Sequence, residues 1–195
     1  LAGEIGAGLP TAVTLAAGDA ALAEALAGAI GSTSFRPYTR TDMIGVQIGG
    51  ALKNVLAIAC GMVAGRGLGQ NARAALMTVG LREMTRFALA KGAELETMMG
   101  LSGLGDLVLT CTSESSRNYS LGFEIGTGKS AAEILSTRRT VAEGAHTAGA
   151  VVAAARTMGL EMPIAEAVNR IIHDGANLDE VVTQLLARPF KPEGV

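Results

Sequence analysis

Two short stretches of this chain hold side chains that could do chemistry together. In the first, Lys53 and Asn54 interrupt a long apolar segment, Met43 to Ala64, where Lys53 is the one side chain expected to carry charge. A lysine in such a segment is costly unless it is paired or neutral, so its position points to function before packing, with a snorkelling or salt-bridged structural lysine as the other reading. In the second, Gly100-Leu-Ser-Gly-Leu-Gly-Asp106 delivers a lone carboxylate to the start of an apolar run, and Lys53 is its natural partner. At about 4 Å and an effective dielectric near 20, such a pair attracts by about 4 kcal/mol before desolvation. An ammonium so placed can stabilise developing negative charge and give up a proton, and as a neutral amine it can take one. Just downstream, Ser113-Glu-Ser-Ser-Arg-Asn118 places hydroxyls, a guanidinium and an amide ahead of a predicted helix, Asn118 to Gly126. Helix starts attract anions through free N–H groups, and arginine adds a planar fork suited to phosphate. Ser116, Arg117 and Asn118 would equally serve as ordinary serine capping beside a surface arginine, and the residues alone do not choose.

The element that must carry Lys53 is a helix from Met43 to about Ala64, capped by Asp42 and apolar on every side. A helix of that kind is buried in a protein core or in a bilayer, and its length meets the roughly 20 residues a span needs. The core reading is the better one. Lys at a span's centre costs roughly 2.5–3.5 kcal/mol, and Gln47, Asn54, Gly45, Gly49 and Gly50 dilute the hydrophobicity further. Composition agrees with closely packed small-residue helices: 49% of the 195 residues are hydrophobic and only 3% aromatic. A net charge of −2 without a basic block argues against a nucleic-acid partner. Cys60 and Cys111 are isolated, as in a reducing compartment, and His146 and His173 fall in no metal-ligand pattern. The chain reads as cytoplasmic. It starts at Leu1 with neither Met nor a signal-peptide pattern, as a piece of a longer protein would.

In chain order, Thr11 to Ala17 alternates as a short strand, Asp19 caps a helix with Leu22, Leu26, Ala29 and Ile30 on one face, and Ser34 to Thr39 forms a second strand that Pro37 pushes toward an edge. This β-α-β piece is too small for a core of its own. After the central helix, Gly65 to Asn71 is a glycine-rich linker with neither dinucleotide-loop nor Walker spacing. Asn71 is expected to cap a helix to about Lys91 carrying Leu76, Val79, Glu83 and Phe87, with Gly92 ending it. A short helix, Leu95 to Met99, follows. The remainder reads as helical: a capping box at Ser130, a polar connector from Thr137 that holds Val141 and Glu143, then helices from about Ala145, from Pro163 and from Asn177.

Gly45-Val-Gln-Ile-Gly-Gly-Ala-Leu-Lys-Asn-Val55, Gly103-Leu-Gly-Asp-Leu-Val-Leu-Thr-Cys-Thr112 and Ser116-Arg-Asn118, supported by Asn71-Ala-Arg-Ala-Ala-Leu76 and Val141-Ala-Glu-Gly144, resemble the signature blocks of the bacterial NAD(P)-dependent glycerol-3-phosphate dehydrogenases. The resemblance covers almost the whole chain in order. It implies a mainly α fold: residues 42–195 as a multi-helix substrate-binding domain, similar to the C-terminal domain of 6-phosphogluconate dehydrogenase. Residues 1–41 would be the last β-α-β piece of a Rossmann-type NAD(P)-binding domain. The family's G-x-G-x-x-G fingerprint and an upstream substrate lysine are absent, and Leu1-Ala2 matches only the end of a family block, with Leu in place of the usual Phe.

The implied activity is reversible hydride transfer between NAD(P)H and dihydroxyacetone phosphate, giving sn-glycerol 3-phosphate for glycerophospholipid synthesis. Residue by residue, Lys53 matches the proton donor and acceptor, and Asp106, Ser116, Arg117 and Asn118 match substrate contacts, the last two at the phosphate. Asn54 and Thr110 match supporting positions. Ala2, Arg117, Val141 and Glu143 match positions that touch NAD or NADP. No metal and no transmembrane segment is implied, a homodimer is compatible, and preference between NAD and NADP is not encoded in this stretch. A sister dehydrogenase with the same helical domain, or a non-catalytic helical interaction domain, are the rival readings. Binding of a small phosphate ester would separate the last of these.

Overall fold

The computed structural model describes residues 2–137 and 142–189. It opens with α1 (Ala2–Gly6), β1 (Thr11–Ala16), α2 (Ala20–Ile30) and β2 (Phe35–Arg40). The two strands pair in parallel, Thr11 opposite Phe35 through Ala16 opposite Arg40, with Pro37 beside Val13. Asp19 caps α2 by accepting the Leu22 N–H, as its position predicts. The apolar face of α2 is mostly uncovered: Ala23 is buried, whereas Leu22, Leu26 and Ile30 stay 42–51% exposed. A platform two strands wide covers only part of a helix face.

The rest is helical: α3 (Met43–Gly65), α4 (Gln70–Ala90), α5 (Leu95–Met98), a π-turn (Leu101–Gly105), α6 (Asp106–Thr112), α7 (Arg117–Gly126), α8 (Ala131–Thr137), α9 (Glu143–Thr157), α10 (Pro163–His173) and α11 (Leu178–Leu186). Asp42 caps α3 through the Gly45 N–H and also accepts from Glu94 N–H. Burial raises its carboxyl, but those hydrogen bonds and the Arg40 charge outweigh burial and hold it below the usual carboxylate range. By length and composition α3 could cross a membrane. Here it is the axle of the domain, packed by α4, α6, α7 and α9, with Val55, Ala57, Ile58 and Cys60 wholly buried.

The contact between α3 and α7 is the one that matters most for the site. A Cβ on Gly122 would lie 1.9 Å from the Ile58 carbonyl oxygen, and one on Gly61 would lie 2.1 Å from that of Tyr119. Neither position has room for a side chain. The two helices therefore touch backbone to backbone, which brings the start of α7 beside the Lys53 turn of α3.

The helix starts differ in places from those the sequence predicts. Asn71 does not cap α4; the helix begins at Gln70 after Gly69, whose φ of +91° a glycine adopts freely. α9 begins at Glu143, two residues before the expected Ala145, because Asn118 Oδ1 accepts the Gly144 N–H at 2.9 Å and caps the helix from a distance. Glu83 is 2% exposed. It accepts from Ile164 N–H (3.0 Å) and Ala165 N–H (2.9 Å) at the start of α10, whose own N-cap residue Met162 has no side chain to do so. Burial, set against those two donors, pushes the Glu83 carboxyl up to about 7.

Candidate active site

The reactive lysine candidate sits on α3 and its carboxylate on α6. Lys53 Nζ donates to Asp106 Oδ2, and the two side chains are 21% and 30% exposed. Lys53 is thus half-buried at a cleft wall rather than sealed in the core, and its charge is met by a partner from the π-turn–α6 junction. Thr110, one turn along α6, donates from Oγ1 to the Asp106 carbonyl at 2.6 Å and lies 3.4 Å from Asp106 Oδ1. It braces the carboxylate from behind.

The other end of the cleft is the start of α7. Ser116 is its N-cap, with Oγ accepting the Tyr119 N–H at 3.3 Å. Arg117, the first helical residue, donates from Nη2 to Glu143 Oε1 at 3.1 Å. Asn54 Nδ2 lies 3.4 Å from Glu143 Oε2 and 3.3 Å from the Gly50 carbonyl. The Glu143 carboxylate therefore spans from α3 to α7. Asn118 is buried beneath it, its carbonyl oxygen engaged with Gly144 N–H.

All of these side chains line one cleft of about 690 Å³: Lys53, Asn54, Asp106, Thr110, Ser116, Arg117, Asn118 and Glu143. Ala2 does not line it, though Gly3 and Glu4 of the same helix α1 do. Val141 lies outside the described residues. The cleft also takes in Gly50, Leu109, Ser113 and Ser115, which the sequence reading did not single out as site residues. The Ser113 and Ser115 hydroxyls are 2.7 Å apart, and the run of hydroxyls ahead of Arg117 was the signal that could have found them. Among the described residues no group of three or more His, Cys, Asp and Glu could hold a metal ion. Each cation of the cleft is matched by a carboxylate, Lys53 by Asp106 and Arg117 by Glu143. The arrangement can move a proton at one end and hold an anion at the other.

The fold, a helical domain joined to a parallel strand pair, is shared with solved dehydrogenases. It superposes on the crystal structure of glycerol-3-phosphate dehydrogenase from Coxiella burnetii with a TM-score of 0.91 at 43% identity, covering 96% of this chain and 58% of that one. The yeast (Saccharomyces cerevisiae) glycerol-3-phosphate dehydrogenase gives 0.83 at 29% identity, covering 95% of this chain and 57% of its own. In sequence, glycerol-3-phosphate dehydrogenase [NAD(P)+] of Parvibaculum lavamentivorans is 59% identical over 192 residues, 98% of this chain. The family described as NAD-dependent glycerol-3-phosphate dehydrogenase C-terminus matches residues 42–183, and the chain belongs to that family. It spans 58% of the length of the first curated relatives it matches.

Proposed function

We propose that this chain supplies the substrate-binding and proton-transferring part of an NAD(P)-dependent sn-glycerol-3-phosphate dehydrogenase, interconverting dihydroxyacetone phosphate and sn-glycerol 3-phosphate. The observation that carries the reading is the pairing of Lys53 with Asp106 in the same cleft as Arg117. Arg117 grips the phosphate with its planar fork, exchanging the Glu143 carboxylate for the ligand's oxygens. With the phosphate fixed at the α7 start, assisted by the Ser116 and Asn118 region, the ketone lies toward Lys53. There the ammonium stabilises the developing alkoxide and hands it a proton, while Asp106, braced by Thr110, keeps the ammonium in position. In the reverse direction a neutral Lys53 takes the hydroxyl proton.

A nicotinamide, when bound, supplies or accepts the hydride. The residues present fit its approach: Arg117 and Glu143 line the cleft, and Ala2 belongs to the exposed helix whose Gly3 and Glu4 form the cleft's rim. We assign Ala2, Arg117, Glu143 and, by resemblance, Val141 to that contact. The packing of α3 by α4, α6, α7 and α9 supports a core helix rather than a membrane span, and our reading is of a cytoplasmic protein that takes a small phosphate ester and no nucleic acid. The curated relatives' name, glycerol-3-phosphate dehydrogenase [NAD(P)+], supports the substrate and the cofactor class. The test is an assay of the full-length protein with dihydroxyacetone phosphate and each reduced nicotinamide, beside unphosphorylated dihydroxyacetone. Preference for the phosphorylated ketone by two orders of magnitude or so is expected, on the scale of a lost charged hydrogen-bond set. Equal turnover of both ketones would overturn the proposal.

A further inference from the structure

The lysine–aspartate pair depends on where α6 begins, and α6 begins on a π-turn. In Leu101–Gly105 the Gly105 N–H reaches back five residues to the Gly100 carbonyl at 3.1 Å, and Gly103 N–H shares that oxygen at 3.3 Å. The turn is wider than an α-turn, and such turns concentrate at functional sites. Its width leaves the Ser102 carbonyl pointing at α3. There the opposing residue is Gly49: a Cβ on it would stand 2.3 Å from the Ser102 oxygen and 3.2 Å from its carbon. Gly49 lies one helical turn before Lys53 on the same face of α3, while Asp106 follows the turn directly. One bare patch of α3 thus seats the turn, and the next turn of α3 carries the lysine that receives the aspartate.

We propose that Gly49 is a positioning residue: by seating the Leu101–Gly105 π-turn against the α3 backbone it fixes Asp106 on Lys53. Any side chain at 49 pushes the Ser102 carbonyl outward by about 1 Å to reach ordinary contact distance, and Asp106 moves with it. A displacement of that size near reacting groups lowers rates by about 10². Arg117 is carried by α7, whose backbone contact with α3, at Gly61 and Gly122, lies about three helical turns beyond Gly49. The change therefore separates the two ends of the cleft. The consequence for turnover rests on the dehydrogenase reading, whereas the consequence for the ion pair does not.

Two readouts keep these apart. In this chain, the Lys53 ammonium ¹⁵N–¹H signal, visible while a carboxylate holds it, is expected in the wild type and lost in Gly49→Ala, as it is in Asp106→Asn. In the full-length protein, Gly49→Ala lowers kcat by about 10² with KM for dihydroxyacetone phosphate within about twofold. Retention of the ammonium signal in a folded Gly49→Ala chain overturns the proposal. Loss of the signal with unchanged turnover leaves the seating intact and refutes the role of Lys53 instead. A fall in stability with the ammonium signal retained and KM and kcat both unaltered shows Gly49 to be merely structural and also overturns the proposal. Should Gly49→Ala not fold, hydrogen exchange in the wild type decides it: the Gly103 and Gly105 amides are expected to be as protected as those of α6. Exchange of both at loop rates overturns the proposal.

Discussion

At the scale of single residues, Lys53 and Asp106 are separated by 53 positions in sequence and joined by one hydrogen bond. The lysine's surroundings on α3 are apolar, so Lys53→Met keeps the volume and removes the charge that the helix must accommodate. In the full-length protein we expect Lys53→Met to fold and to lose about 10²–10⁴ in kcat, the usual scale for a general acid–base group. Wild-type turnover in the folded variant would refute the role. Arg117 makes a different kind of contribution. Its charge survives in Arg117→Lys but its fork does not. kcat/KM for dihydroxyacetone phosphate should fall by about 2 kcal/mol, within the range for hydrogen bonds to charged groups, and much less for unphosphorylated dihydroxyacetone. Matching losses on the two ketones would mean that Arg117 acts elsewhere.

At the scale of elements, Glu83 ties α4 to the start of α10. Its carboxyl is pushed up to about 7 from 4.5, so the folded chain holds that proton more tightly than the unfolded chain does. The resulting stability is full below about pH 4.5 and disappears as pH rises through about 7, a span of about 3 kcal/mol at 1.36 kcal/mol per tenfold change in proton affinity. Melting temperature should therefore fall from about pH 5 to about pH 7.5, and Glu83→Gln should flatten that fall. An equal slope in wild type and variant would contradict this. The elements a reader of the sequence can recover are those with local signals. Asp19, Asp42, Ser116 and Asn177 each cap the helix that follows them, Gly92 takes a φ of +90°, and Pro163 opens α10. The candidate site residues on α3, α6 and α7, which line one cleft, stand out in the sequence for the same reason, as charged or polar exceptions within apolar or helix-start patterns. The remainder was set by partners far along the chain. The π-turn has its seat at Gly49, the cap of α9 comes from Asn118, and the donors that make a buried Glu83 tolerable are at 164 and 165. No window of neighbouring residues contains that information.

At the scale of the whole molecule, the helical part encloses its own core around α3, while β1, α2 and β2 leave Leu22, Leu26 and Ile30 open. We expect this chain alone to melt cooperatively through its helices, with amides of β1 and β2 exchanging faster than those of α3. It should not oxidise a reduced nicotinamide. The proximity of hydride to ketone, potentially worth about 7–11 kcal/mol of barrier, depends on a cofactor fingerprint that this sequence does not contain. Turnover by the chain alone would show that the two functions are divided differently along the sequence. The proposed phosphate-ester cleft, by contrast, is lined by residues of this chain. Its most direct test is an NMR titration of this chain with millimolar sn-glycerol 3-phosphate, with glycerol as the control. The account predicts saturable shifts at Lys53 and across Ser116 to Asn118, none with glycerol, and their loss in Arg117→Ala. Shifts that avoid this cleft, or that survive Arg117→Ala unchanged, would contradict it.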